Sequence, residues 1–155
     1  MLNRYHNLMN IFEDISSFFG LYQNKKRSYN LDDEFTSAEL KMLEIIIENR
    51  SITPTEISKK IYKTKSAVSQ MIKKLIMKDL IYILKSEKDQ RVVEFGVSQK
   101  GVLVHDAHKT YERELASVLK KKLENFEADE IETIEKFLNI YREFQFEVSN
   151  IKIND

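Results

Sequence analysis

The sequence predicts a mainly α-helical protein with one small β-hairpin set between short and long helices. Three observations predict it. Apolar residues recur every three or four positions through most of the chain. Helix-start signals stand at Thr36, Thr53 and Thr64. After Asp79 the pattern changes to short runs of β-branched and aromatic residues around a charged turn. The composition agrees: 42% hydrophobic and 32% charged residues, with one Pro and three Gly, suit an ordered helical chain. A length of 155 residues suffices for one domain with a real core, and 1–155 is read as a single domain.

Each element has its own signal. Residues 2–22 form a long helix, because Tyr5, Leu8, Phe12, Ile15, Phe19 and Tyr22 alternate spacings of three and four and fall on one stripe. A stripe this aromatic needs a substantial partner surface. The stretch Asn24 to Glu34 is polar, carries Lys25, Lys26 and Arg27, and reads as a loop. Thr36-Ser37-Ala38-Glu39 is a capping box opening a helix that buries Leu40, Leu43, Ile46 and Ile47 and ends near Asn49. Ser51-Ile52 reads as a short extended piece. Thr53-Pro54-Thr55-Glu56 repeats the start signal with Pro at the first helical position, and that helix ends near Ile61 or Tyr62.

Thr64 then caps a helix reaching about Lys78, with Val68, Met71, Ile72, Leu75 and Ile76 inward. Two short helices joined this tightly make a helix-turn-helix candidate. Leu80 to Lys85 and Val92 to Ser98 read as strands around a charged tip, so the whole is a winged helix-turn-helix over 36–98. Two long helices follow, from about Lys100 to Leu123 and from about Ala128 to Ser149, the last with a stripe at Ile131, Ile134, Leu138 and Tyr141.

Charge and cysteine usage narrow the function. Without Cys there is no disulfide, thiolate metal site or cysteine redox switch. Glu13 and Asp14 interrupt the only apolar candidate for a leader, and no span reaches membrane length, so a cytoplasmic protein without membrane contact is expected. The formal net charge is zero, yet residues 53–100 hold 11 Lys/Arg and 5 Asp/Glu, a local charge of +6. A basic patch there attracts phosphates while the molecule as a whole stays neutral.

The patch has a shape. On the helix at 64–78 the outward positions are Lys65, Ser66, Ser69, Gln70, Lys73 and Lys74, and no acid lies between Glu56 and Asp79. Short hydroxyl and amide side chains reach base edges, while cations meet the phosphates on either side. The N-terminal part of a recognition helix makes most base contacts, which points to Thr64, Lys65, Ser66, Ala67, Ser69 and Gln70. Ala67 fits a thymine methyl, and Gln70 can pair twice with adenine. The following hairpin carries Lys85, Lys88, Asp89 and Arg91 over 85–91. An arginine at such a tip can enter a minor groove, its direction fixed by an acceptor such as Asp89.

The order of parts resembles the MarR family, the multiple-antibiotic-resistance regulators. The resemblance is carried by Thr53-Pro54-Thr55-Glu56-Ile57, Lys65-Ser66-Ala67-Val68-Ser69-Gln70, Leu75 through Asp79-Leu80-Ile81, Asp89-Gln90-Arg91, and Val97-Ser98-Gln99-Lys100-Gly101. It implies a homodimer built from the helices at 1–22 and 100–149, which would explain the aromatic stripe. It also implies a sequence-specific regulator of double-stranded DNA acting on a pseudo-palindromic operator, commonly a repressor released by a small aromatic or anionic ligand. Phe19, Tyr22 and Arg27 are candidate neighbours of that ligand. Two positions depart from the family pattern: Asp79 stands where Gly is usual before the wing, and Ser98 where Thr is common. Asp tolerates a left-handed backbone better than most residues, and Ser caps as well as Thr.

Other functions fit less well. His105 and His108 share a helix face and, with His6 or a carboxylate, suggest a zinc-responsive regulator of the same fold. Helix histidines are more often solvent-facing or packed at an interface, and no metal or cofactor is expected. There is no glycine-rich phosphate loop or nucleophile motif to suggest an enzyme. An interaction module that has lost DNA binding would have no use for an acid-free outward face.

Overall fold

The computed structural model describes residues 2–23, 25–49, 52–84 and 94–150. It bears out the mainly helical chain with one hairpin. The elements are α1 (Leu2–Gln23), α2 (Ser37–Glu48), α3 (Pro54–Ile61), α4 (Lys65–Met77), β1 (Ile81–Leu84), β2 (Glu94–Val97), α5 (Gln99–Lys122) and α6 (Ala128–Asn150).

The expected helix starts are present as hydrogen bonds. Thr36 Oγ1 accepts from the Glu39 amide at 3.3 Å, and the Thr36 amide donates to Glu39 Oε2 at 2.8 Å. Together these close the box that opens α2. At α3, Thr53 Oγ1 accepts from the Glu56 amide at 3.2 Å, and the Thr53 amide donates to Glu56 Oε2 at 2.7 Å. Pro54 stands in the first turn, where a missing N–H costs nothing. Thr64 Oγ1 accepts from the Ala67 amide at 3.2 Å and opens α4.

The helix ends are less regular. Past α4, Asp79 takes φ 55°. Its amide donates to Ile76 O and that of Leu80 to Leu75 O, both at 2.9 Å. These are the paired bonds of a Schellman stop. Leu75 and Leu80 are both fully buried, which supplies the apolar contact that goes with this motif. The chain then enters an antiparallel pair in the register Ile81↔Val97, Tyr82↔Gly96, Ile83↔Phe95 and Leu84↔Glu94. Ser98 fastens the far end: its hydroxyl donates to Asp79 O and accepts from the Gly101 amide at 2.9 Å. A Cβ on Gly101 would lie 2.1 Å from Leu80 O, so the first turn of α5 requires glycine at this close approach.

The chain divides into two compact units, Met1–Tyr111 and Glu112–Asp155. In the first, the core joins Phe35, Leu40, Met42, Leu43, Ile45 and Ile46 around α2 to Ile57, Val68, Leu75, Leu80, Ile81 and Val104. Each large apolar side chain removed from water contributes roughly 1.5–3 kcal/mol. Burial on α2 is broader than the expected stripe, since Met42 and Ile45 join it while Ile47 is only half-buried. Ion pairs edge the core: Glu39 with Lys78 at 3.0 Å, Glu44 with Lys109 and with Lys41 at 2.7 Å, and Asp33 with Lys100. In the second unit Ile131, Ile134 and Tyr141 are half-buried, while Leu138, Phe144 and Phe146 are exposed.

The chain before α2 is more ordered than a plain loop. It contains a tight turn in which Leu31 N donates to Ser28 O at 2.9 Å, with Tyr29 and Asn30 both left-handed. A bridge from Arg27 to Phe35 closes it. Ile52 is buried but joins no strand among the described residues, and Ser51 lies outside them.

Candidate nucleic-acid interface

Helix α4 is two-faced. Val68, Ile72 and Leu75 are buried against the core, and Met71 and Ile76 are half-buried beside them. On the opposite side Thr64, Lys65, Ser66, Ser69, Gln70, Lys73 and Lys74 are exposed, and Ala67 is half-buried between the two faces. The cause is the apolar spacing itself: with the buried positions turned to the core, the remaining positions must face outward.

These side chains differ in what they have left to offer. Thr64 Oγ1 already caps the helix and lies 3.1 Å from Ser66 Oγ. Ser69 Oγ donates back to Lys65 O at 3.0 Å, leaving its acceptor lone pairs. Among the described residues the side chains of Lys65, Gln70, Lys73 and Lys74 make no hydrogen bond or ion pair. Four long polar side chains are thus unengaged on a rigid helix. By contrast Lys78, just past the end of the same helix, donates to Glu39 and to Glu34 O, and its ammonium lies 5.2 Å from the Phe35 ring centre. It bolts α4 to α2 and is no part of the outward face.

The expected wing residues Lys85, Lys88, Asp89 and Arg91 lie outside the described residues. The strands leading to them are in place, with Leu84↔Glu94 as the last described pair.

The ligand candidates are not brought together as a set. Phe19 lies on α1, 55% exposed, and the Tyr22 side chain lies outside the described residues. Arg27 is half-buried: it donates to Ser37 Oγ at 2.8 Å, and its guanidinium sits 5.2 Å from the Tyr111 ring centre. Beside it Tyr29 Oη is 2.7 Å from His108 Nδ1, and the His108 ring stacks on Tyr111 at 6.3 Å. Sequence reasoning missed Tyr29 and Tyr111, which stand far apart in the chain with no local pattern to link them.

The same contacts bear on zinc. His108 uses Nδ1 on a tyrosine, His105 Nδ1 lies 3.3 Å from Asp106 Oδ1, and His6 is exposed on α1. Among the described residues no group of three His, Asp or Glu side chains is placed to hold a metal ion.

Residues 35–93 match the model of the MarR family. The transcriptional regulator AdcR of Streptococcus pyogenes is 26% identical over 112 residues, spanning 72% of this chain and 76% of AdcR. Among solved structures, Lactococcus lactis ZitR in complex with DNA aligns with a TM-score of 0.67 at 26% identity, covering 88% of this chain and 96% of ZitR. Another structure describes ZitR as a zinc-responsive MarR family member. FabT of Streptococcus pneumoniae in complex with DNA reaches a TM-score of 0.70 at 23% identity, covering 91% of this chain and 99% of FabT, a likeness of fold.

Proposed function

We propose that this chain, which belongs to the MarR family, is a transcription regulator that binds duplex DNA as a homodimer. One observation carries the reading: α4 buries Val68, Ile72 and Leu75 on one face and offers Lys65, Gln70, Lys73 and Lys74, all unengaged among the described residues, on the other. In this reading 36–98 is the DNA-binding lobe of a single domain, and the helices at 1–22 and 100–149 pair the two subunits. The N-terminal half of α4 enters the major groove. Gln70 reads adenine through two hydrogen bonds, Ala67 packs on a thymine methyl, and Lys65, Lys73 and Lys74 neutralise phosphates. The tip at 85–91 enters the minor groove through Arg91, with Asp89 directing the guanidinium.

A two-fold pair of such lobes meets half-sites about 34–36 Å apart, so the operator is a pseudo-palindrome. Function is then binding rather than catalysis, in keeping with the regulator AdcR as a relative. No described helix is long and apolar enough to cross a membrane, and a cytoplasmic site of action follows from the DNA target. Release of a repressor by a small aromatic or anionic ligand would work through its differential affinity for two spacings of the recognition helices. In this reading Arg27 offers such a ligand a cation and Tyr111 an aromatic ring. The zinc-responsive alternative through His105 and His108 lacks a third donor among the described residues.

The experiment is footprinting on the DNA upstream of the protein's own gene with two variants. Gln70→Ala should lose sequence preference, by about 1–3 kcal/mol per half-site, while nonspecific affinity holds. Arg91→Ala should weaken binding to AT-flanked sites in particular. If both variants protect the same positions with the parent's affinity, the assigned contacts are wrong.

A further inference from the structure

A cleft of about 730 Å³ lies at the start of α2 and the end of α3, and four of its lining side chains are lysines: Lys26, Lys41, Lys60 and Lys63. No acid lines it among the described residues. Two of the lysines are compensated from outside its wall, Lys26 by Glu34 at 3.1 Å and Lys41 by Glu44 at 2.7 Å. Lys60 and Lys63 make no ion pair among the described residues. Like charges gathered along a concave wall focus a positive field and select an anion.

The far wall is fixed. Tyr62 holds φ 53° and ψ 44°, the Lys63 amide donates to Ser58 O at 3.1 Å, and Ser58 Oγ donates to Lys63 O at 2.6 Å. This turn sets the backbone of Lys63 directly before Thr64, the cap of α4, so the cleft borders the proposed recognition helix.

From this continuity we propose that the cleft is a seat for a DNA backbone phosphate, held by Lys60 and Lys63, which extends the footprint beyond the recognition helix and the wing. The proposal rests on the regulator reading. Its ligand chemistry is a phosphate diester on the strand flanking the groove that α4 enters. The seat carries no sequence information; it sets register and adds to the counterion release of binding.

The test uses the full chain and a fluorescent operator duplex, with affinity followed from about 50 to 300 mM KCl. Lys60→Gln/Lys63→Gln should lower the slope of log K against log salt by about 0.9 for each phosphate no longer neutralised, while the ratio of operator to scrambled-duplex affinity stays at the parent's value. Lys59→Gln, one position outside the lining, removes a nearby charge and should leave the slope unchanged. A double variant with the parent's slope overturns the proposal and leaves the regulator reading intact, as does an equal fall in Lys59→Gln. A parent protein that binds no duplex overturns the regulator reading itself. If inorganic phosphate raises the melting temperature of the parent but not of the double variant, while the slopes agree, the cleft serves a soluble anion and the DNA seat is refuted.

Discussion

Glu44 shows what a single buried charge does here. The residue lies on α2 and is only 7% exposed. Burial pushes its carboxyl toward the neutral form, but bonds from Lys109 and Lys41 outweigh that and hold its pKa at about 2 against an ordinary 4.5. A carboxyl that is a stronger acid when folded stabilises the fold fully above its unfolded value, and loses that contribution as pH falls from 4.5 toward about 2. The stability difference between the parent and Glu44→Gln, read from urea midpoints, should therefore shrink across that window. Lys109→Met leaves the carboxylate with one partner and should cost about 1–3 kcal/mol at neutral pH. A parent-to-Glu44→Gln difference that stays flat from neutral pH into that acid window would show that the two lysines do not hold the charge. Glu39 follows the same logic: burial raises its pKa, and the Thr36 amide and Lys78 outweigh that and lower it.

At the scale of the element, α4 is bounded by Thr64 at its start and the left-handed Asp79 past its end. Asp79 is an L-residue at a position that favours glycine, and its carboxylate stands by the negative end of the helix dipole. Asp79→Gly should raise stability by about 0.5–1 kcal/mol in a denaturant titration. The side chain is exposed and makes no bond among the described residues that the change would remove. A destabilised variant would mean that the carboxylate matters in a way the described contacts do not contain. The caps of α2, α3 and α4 were legible in the sequence because each depends on residues within four positions. The buried face of α4 was legible through its period. The left-handed Tyr29 and Tyr62 were not, because tyrosine has no preference for that backbone. Nor was the Tyr29–His108–Tyr111 cluster, whose members meet only after α5 has packed against the turn before α2. The lysine cleft escaped too, since Lys26, Lys41, Lys60 and Lys63 come from separate segments.

For the whole molecule, the expected need of α1 for a partner surface finds its counterpart in side chains left in water. Tyr5, Ile15, Phe18 and Phe19 are exposed, as are Leu138, Phe144 and Phe146 of α6. In the proposed homodimer these faces are covered by the second subunit. Phe19→Asp should shift the protein toward monomer in sedimentation equilibrium and weaken operator binding by roughly tenfold or more, because the two half-sites would no longer be bound as one. An unchanged dimer with unchanged DNA affinity would place the interface elsewhere. The neutral total charge also acquires a physical sense: the +6 of residues 53–100 is local, so attraction to phosphates is directed to one region of a chain that elsewhere repels them.

Whether α4 of two subunits reads two successive major grooves is tested most directly by selecting bound sequences from a pool of random duplexes with the purified full chain. Enrichment is expected for an inverted repeat whose half-sites are centred about 10 base pairs apart, with the preference at one adenine per half-site abolished in Gln70→Ala. A pool that shows no common sequence after repeated rounds, or an enriched motif that Gln70→Ala leaves unchanged, would contradict that arrangement.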